Sequence, residues 1–460
     1  MMFDQITNII PRIKGVYVVG GSVRDLLLNR FSTDVDIAVD GNPEEFAARM
    51  AETIKGHLVR LGKPGQTILR IVSDDHTFDI SSLNGPSIEE DLAKRDFTIN
   101  AMGVELSSGK FIDPLGGRQD LIRRKVRMVS QQNFLNDPIR LLRAYRIAAH
   151  LNFQIDRNTS DTILKNAALI KSSAGERIRE EFLKILQTPR SHLLLSQMGD
   201  SGLLFAIIPE LNALKECVQN RYHHLDVFDH SMAAFSHLEV LFDTYPEIFP
   251  ESGTRIRQSF NPDTTTLLKC AILLHDIAKP LVRNADKQGI VHFYGHAPKS
   301  ADMAKDILTR LKFSNRATDY ITFIIRNHIW PLFLFTAQQK KTLTPKGRLR
   351  FYLNCGANTP SLLLHATADM QGKENKPGKH TDAFVKFAEE LLVHYFNAFR
   401  PQKMKPPLIT GHDLINEFQL SPSSIFKKIL DVVEEARLSQ TIKSKEEALK
   451  LVEDFLSRNE

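Results

Sequence analysis

Apolar and polar positions follow two-residue alternation in the first third of the chain and three-to-four-residue spacing thereafter. Residues 15–21, GVYVVGG, form a β-branched run closed by two glycines, which predicts a buried strand and a tight turn. SVRDLLLNR then opens a helix, and VDIAV (35–39) alternates as a strand does. NPEEFAARMAETIKG predicts a helix with Pro43 in its first turn. TILRIVSD and HTFDIS read as a strand pair, and RDFTINAMGVEL enters a further strand. Together these elements predict a small mixed head over 1–130. From 131 to 215 the spacing is helical with no strand run, which predicts an all-α neck. A histidine-rich helical block occupies 216–380, and a helical tail occupies 381–460. The polar segment QGKENKPGKHTD (371–382) reads as a linker or exposed loop. The fold class expected is therefore α+β, with no internal repeat.

Composition narrows the class. A chain of 460 residues with 42% hydrophobic and 25% charged positions excludes a mainly disordered, collagenous or coiled-coil protein and requires more than one core. Sixty Lys+Arg against 54 Asp+Glu leave a net charge of +6, which permits a polyanionic partner without requiring one. Cys217, Cys270 and Cys355 are far apart and in no metal spacing, which excludes a disulfide scaffold and suits a reducing cytoplasm. The N-terminus, MMFDQITNIIPRIKG, lacks the basic start and continuous apolar run of a signal peptide. No stretch approaches the roughly 18 apolar residues that span a bilayer. A cytoplasmic protein with no membrane partner is expected.

Candidate chemistry begins at TDVDIAV. Period-2 geometry puts Asp34 and Asp36 on one face of a strand, and adjacent carboxylates repel unless a cation sits between them. An isolated Asp-x-Asp is ordinarily no more than a solvated pair, but its neighbours change that reading. Gly20 and Gly21, followed by Ser-Val-Arg-Asp, offer a close backbone approach, a helix N-terminus and the cation Arg24 to a phosphate. Asp79 lies on a later strand as a third carboxylate, and Arg95 and Asp96 add a further cation and acid. Two metal ions among three carboxylates, beside a phosphate cradle, suit in-line nucleotidyl transfer.

In this order, GGSVRD, TDVDIAV and RDFTINAM resemble the head of the class II tRNA nucleotidyltransferase and bacterial poly(A) polymerase family, a branch of the polymerase-beta-like nucleotidyltransferases. The resemblance implies a nucleotidyltransferase head in which Asp34 and Asp36 hold Mg2+ with help from Asp79. Gly20, Gly21 and Arg24 would receive the triphosphate, and Arg95 and Asp96 would meet the ribose or phosphate. The implied partners are the 3′ end of tRNA or another RNA, with CTP, ATP or both.

NDPIRLLRAYRIAAHLNF (136–153) predicts a helix capped by Asn136 or Asp137, with Pro138 in its first turn. At about 100° per residue, Ile139, Leu142, Tyr145 and Ala149 form the buried face, while Asp137 and Arg140 share a groove with Arg143 beside them. Arg146 borders the apolar side and reads as a structural ion-pair residue. The family carries a Glu-Asp-x-x-Arg-x-x-Arg element here that reads the incoming base. Asp137, Arg140 and Arg143 match it, whereas Asn136 replaces the glutamate. GERIREEFLKIL (175–186) is similar to the family's neck-bracing helix, which implies that Glu176 and Glu180 clamp an arginine of the base-reading helix.

Only residues 80–94 separate Asp79 from Arg95, and ISSLNGPSIEEDLAK lacks the longer basic loop of full CCA-adding relatives. Full CCA addition, CC-only addition with a separate A-adding partner, and A-only or poly(A) addition all remain open. The modest charge and the absence of a long basic tail count against an enzyme that tracks long RNA.

His275-Asp276 ends the apolar run LLKCAILLHDIAKP, and the same dipeptide recurs without company at His412-Asp413. His230, His296, His328 and Asp369 accompany the first. Their order resembles the HD phosphohydrolase domain, which implies a divalent transition metal on His230, His275, Asp276 and Asp369. His296 and His328 would complete a second metal position or touch phosphate. Imidazole and carboxylate around an open position suit water activation. The tail from Gly411 onward also resembles the carboxyl-terminal helical unit of these relatives. A rival reading is an HD phosphohydrolase whose head only binds nucleotide or RNA.

Overall fold

The computed structural model describes residues 10–11, 13–30, 33–62, 67–73, 76–217, 225–373 and 378–458. Residues 1–9, where a signal peptide was argued against, and 374–377 of the polar segment at 371–382 lie outside the described residues. The chain divides into two compact units, Met1–Pro209 and Glu210–Glu460.

The first unit is built on a seven-stranded sheet of order β3-β4-β5-β2-β1-β6-β7. Its strands are β1 Val16–Val19, β2 Asp34–Val39, β3 His57–Leu61, β4 Ile68–Val72, β5 Thr77–Ser82, β6 Gly103–Glu105 and β7 Phe111–Ile112. β2 and β5 run parallel, with Asp36 opposite Asp79, and the other pairs are antiparallel. In β2, Val35 and Ile37 are buried, while Asp34 and Asp36 face outward, as period-2 geometry requires. The helix Pro43–Ile54 starts where Asn42 accepts hydrogen bonds from the Glu44 and Glu45 amides, and Pro43 fills a position that needs no amide donor.

Three differences from the sequence reading have physical reasons. β3 carries no alternation because all five of its residues are exposed at the sheet edge. The neck contains a two-residue strand, Gln154–Ile155, parallel to Lys125–Val126. The helix expected to read the base starts at Ile139, after a separate short helix Gln131–Asn136, and Asp137 lies between the two. Asp137 is thus the link between two helices and caps neither with its side chain.

The second unit is helical apart from the short pair Asn284–Ala285 and Val291–His292. The helix Thr359–Gln371 is buried on every side from Thr359 to Met370, which makes it the axis of the unit. Helices Val227–Asp243, Pro262–Leu274, His296–Arg310 and Asn315–Asn327 also carry buried faces. The tail has its own small core of Ile409, Leu414, Ile429, Val433, Ala448 and Val452. No described helix is long and apolar enough to cross a membrane. All three cysteines are buried and free.

Candidate active site and metal centre

In the first unit, one cavity of about 410 Å³ is lined by Gly20, Gly21, Arg24, Asp34, Asp36, Arg95, Asp96, Asp137, Arg140 and Arg143, with Ser22, Asp25, Asn100 and Arg146. It brings together every head and neck residue proposed from the sequence for metal, phosphate or base, except Asp79.

The glycine turn is fixed by geometry. Gly20 has φ +76°, and a Cβ there would meet Arg95 Nη1 at 2.7 Å and Asp36 Oδ2 at 2.9 Å. Ser22, which opens the following helix, accepts from the Asp36 amide at 3.0 Å and donates to the Asp34 carbonyl at 3.2 Å. The helix start and the carboxylate strand are therefore tied by one hydroxyl. Burial raises the Asp36 carboxyl above its ordinary value; Arg95 and Arg143 oppose this, while Asp79 and Asp34 add to it. A carboxyl destabilised in this way gains when a cation arrives.

Asp79 stands beside Asp36 in the sheet register, but both of its oxygens accept from Arg70, each at 2.7 Å. Arg24 grips Asp25 through Nε and Nη2, at 2.9 and 2.8 Å, and donates to Asn100 at 2.6 Å. Arg95 donates twice to Asp91. Asp96 is buried; it accepts from the Phe97 amide at 2.8 Å and from Asn100 at 3.0 Å, and it pairs with Arg143 at 2.8 Å. Burial alone would raise the Asp96 carboxyl, but Arg143, Asn100 and the Phe97 amide outweigh it and lower it.

On the helix Ile139–Leu151, Arg140 donates to the Lys94 carbonyl at 2.8 Å. Asn133 donates to the Ala93 and Arg95 carbonyls, both at 2.8 Å. Three successive carbonyls at the end of the helix Ile88–Ala93 are thereby claimed by the neck. Asp137 is held by both terminal nitrogens of Arg177, at 2.9 and 3.0 Å. Arg146 pairs with the buried Glu181. The expected clamp by Glu176 and Glu180 is not formed: both are exposed and face Arg179, because the buried side of the helix Gly175–Leu186 carries Glu181 with Ile178, Phe182 and Ile185. Ser22 and Asn100 lie inside the strings GGSVRD and RDFTINAM but were given no role, and Asn133, Arg177 and Glu181 were missed; the Glu-Arg string at 176–177 was the signal for Arg177.

In the second unit, His230, His275, Asp276 and Asp369 converge with His296 and His328. His230 Nε2 lies 2.8 Å from Asp369 Oδ1, and His275 Nε2 lies 3.0 Å from Asp276 Oδ2 and 3.4 Å from Asp369 Oδ1. The Nδ1 atoms of His275, His296 and His328 each face the carbonyl three residues earlier, at 2.8, 2.8 and 2.7 Å. A carbonyl only accepts, so Nδ1 carries the proton and Nε2 turns inward as a ligand atom. Among the described residues, two groups have ligand atoms close enough to hold an ion: His230, His275 and Asp369; and His275, Asp276 and His328.

Lys279 donates to Asp276 Oδ2 at 2.6 Å, and Lys373 to Asp369 Oδ2 at 2.8 Å. Burial alone would raise the Asp276 carboxyl, but His275 and Lys279 hold it well below its ordinary value. Burial would lower His275, yet Asp276 and Asp369 push it up to about 9, so a proton balances charge where a metal would. His365, missed in the sequence because it sits inside an apolar helix, is buried with neither nitrogen hydrogen-bonded, 5.2 Å ring to ring from His275. His412-Asp413 is structural: Asp413 accepts from the Thr410 amide and hydroxyl at the start of its helix.

Residues 16–127 match the Poly A polymerase head domain, 152–215 the RNA and SrmB-binding site of polymerase A, and 227–337 the HD domain. Residues 284–452 match domain 2 of tRNA nucleotidyltransferases. The A-adding tRNA nucleotidyltransferase of Deinococcus radiodurans is 30% identical over 98% of this chain and 98% of its own length. The CC-adding tRNA nucleotidyltransferase of Thermus thermophilus is 30% identical over 95% of this chain and 92% of its own. A CCA-adding enzyme solved with CTP has the same fold, with TM-score 0.64 at 21% identity over 96% of this chain and 91% of that one. With head, neck and helical body all accounted for, the chain is a nucleotidyltransferase and belongs to the tRNA nucleotidyltransferase family.

Proposed function

We propose that this enzyme extends the 3′ end of tRNA with C, A or both, using Mg2+ at Asp34 and Asp36. The observation that carries the reading is the single cavity in which the glycine turn, the two aspartates, the cations and the base-reading groups meet. The donor set fits the ion: two outward carboxylates on one strand face, one of them raised by burial, are oxygen ligands for a hard dication. Bound there, Mg2+ would supply charge neutralisation of the triphosphate and activation of the terminal ribose hydroxyl. Gly20 and Gly21 admit the triphosphate to the backbone amides, while Arg24 and Arg95, already oriented by Asp25 and Asp91, offer it positive charge. Asp96 orients Arg143, and Asp137, Arg140 and Arg143 present acceptors and donors to the base edge.

Asp79 enters as a third ligand by exchanging Arg70 for the ion. That pair is partly exposed, and such pairs contribute about 0–1 kcal/mol, so the exchange costs little. In this reading 1–130 is the catalytic head, 131–215 the neck with the base reader, 216–380 the HD block and 381–460 the tail. The setting is cytoplasmic. The HD block holds a transition dication on His230, His275, Asp276 and Asp369, which would supply activated water to a phosphoester.

A second reading, that the enzyme adds only C or only A, is favoured by two observations. The interval 80–94 is folded short, with Asp91 accepting from the Asn84 amide at 2.9 Å and Ser87 capping the helix. The two relatives above, which align over nearly the whole chain, are each named for adding one kind of nucleotide. Relatives of that breadth do not favour the rival in which the head only binds nucleotide. The deciding experiment offers CTP, ATP or both to tRNA ending before the tail, after one C and after two Cs. Completion to CCA supports the full activity, arrest after two Cs or extension only after them supports a specialist, and no extension of any tRNA sinks the proposal.

A further inference from the structure

The sheet face that carries the aspartates does not end at Asp79. Strand register runs one row across it: Asp36 stands beside Asp79, Asp79 beside Arg70 and Arg70 beside Val59, so all four side chains share that face. Around Arg70, β4 and β3 present Val59, Leu61, Ile68 and Val72 on the same face, each between 37% and 45% exposed. The opposite face of β4 and β5 is closed, with Leu69, Ile71, Phe78 and Ile80 buried on the side of the helix Pro43–Ile54. An antiparallel pair with one wet face ordinarily alternates apolar inside with polar outside. Here the open positions are apolar as well. They are also contiguous, since Leu61 stands opposite Ile68 and two residues from Val59, and a contiguous open apolar patch marks a surface that something covers.

We propose that this face of β3 and β4 receives the last nucleotides of the RNA strand being extended. The inference rests on the reading of Asp34 and Asp36 as the centre of nucleotidyl transfer. In-line transfer puts the attacking and leaving oxygens on opposite sides of the α-phosphorus. The glycine turn and Arg24, which receive the triphosphate in that reading, follow β1 on one side of the aspartate strand, whereas β5, β4 and β3 lie on the other. Pyrophosphate therefore leaves toward β1 as its bond to the α-phosphorus breaks. The RNA 3′ oxygen forms the new bond from the β5 side, and its proton passes to water. Only three interstrand steps of about 4.8 Å separate β2 from β3, so a strand whose terminal hydroxyl reaches the aspartates lays its preceding nucleotides over β4 and β3. The chemistry of the patch fits: bases and riboses offer apolar surface to Val59, Leu61, Ile68 and Val72, and a phosphate meets the partly exposed Arg70 at their centre. Once the ion takes Asp79, the guanidinium is free to turn to that phosphate.

The test uses the full-length enzyme with Mg2+ and tRNA that ends before the tail. Val59→Glu and Val72→Glu set negative charge at exposed positions of the patch, and each should raise KM for tRNA by at least about fivefold. KM for the nucleotide should stay within about twofold, as should nucleotide binding without RNA by calorimetry, and Val72→Ile should keep the wild-type KM for tRNA. An unchanged KM for tRNA in both glutamate variants overturns the inference and leaves the catalytic reading standing. No incorporation by the wild type overturns that reading and the inference with it. A wild-type dimer in sedimentation that Val59→Glu dissolves gives the face to a second copy of the chain and overturns the inference. Should the variants misfold, photo-crosslinking of the wild type decides. A tRNA carrying 4-thiouridine as its last nucleotide should label peptides of β3 and β4, and labelling confined to other elements refutes the placement.

Discussion

The cavity of the first unit and the histidine cluster of the second solve the same problem, holding charge in a folded interior, in opposite ways. In the cavity almost every charge is matched by a protein partner: Arg24 by Asp25, Arg95 by Asp91, Arg143 by Asp96 and Asp137 by Arg177. The cavity's buried atoms without a hydrogen bond, Asp96 Oδ2 and Arg143 Nε, belong to one ion pair, whereas in the cluster Asp276 Oδ1 and both nitrogens of His365 are buried with no hydrogen-bond partner and two ring nitrogens oppose each other. A cavity that must admit a large, exchanging nucleotide needs groups already aimed and stable without it. A cluster built around an ion can leave its polar atoms to be satisfied by that ion. The difference fits the proposed reading, an exchanging ligand in one unit and a resident ion in the other.

The sharpest break of this comparison is at Asp36, the member of the cavity whose carboxyl is raised rather than matched. Asp36→Asn should lower single-turnover nucleotide incorporation by at least about 10³-fold. Thermal stability should hold or rise slightly, because the lost charge was unfavourable in the fold. A near-normal rate would remove the aspartate pair from the chemistry. Next in size is Arg143→Met, which strands the buried Asp96 carboxylate. Only the Asp96 side of the pair is buried, so the loss should be about 1–3 kcal/mol, read as a lower urea midpoint, and adding Asp96→Asn should restore part of it. Unchanged stability in the single variant would mean that the cavity is not held by matched charge.

The same pair sets an acid limit. Asp96 has its folded value lowered, so its stabilisation is present above the unfolded carboxyl value of about 3.9 and is lost as pH falls through the lower folded value. The wild-type midpoint should fall steeply below about pH 4, and the Asp96→Asn variant should lack that component. Equal acid profiles would show Asp96 to be protonated in the fold.

What the sequence shows of this arrangement is whatever is local. Asp34 and Asp36 are legible because two-residue alternation fixes their common face, and Gly20 because a pair of glycines closes a β-branched run. The histidine cluster is legible by type and order, although its ligands come from five helices or their ends. Long-range partners are not legible. Arg177 reaches Asp137 across 40 residues, and Arg70 meets Asp79 only because β4 pairs β5 in that register. Glu181 and not Glu180 is the brace because a one-residue step on a helix turns the side chain by about 100°, and only the neighbouring helix decides which phase is inward. His365 is hidden because a buried helix has no polar face from which a histidine would stand out.

The remaining tests concern matched pairs that stay partly open to water, where the comparison predicts function without much stability. Arg177→Ala should change the unfolding free energy by less than about 1 kcal/mol, since Arg177 is half exposed. Released from two hydrogen bonds, Asp137 should lose its aim, so that preference between CTP and ATP falls by up to about tenfold. Full selectivity in that variant would make the clamp a surface ornament of the neck.

Arg70→Ala is the mildest change and the most discriminating for Asp79. With Arg70 in place, an incoming ion must displace a guanidinium that holds both carboxylate oxygens. Without it, Asp79 is left beside Asp36 with its charge uncompensated, and repulsion across the register grows. If Asp79 is a ligand, the variant should bind Mg2+ up to about fivefold more tightly by calorimetry, because the displaced pair contributes no more than about 1 kcal/mol. If Asp79 only anchors Arg70, Mg2+ affinity should not change, and the ion would rest on Asp34 and Asp36 alone.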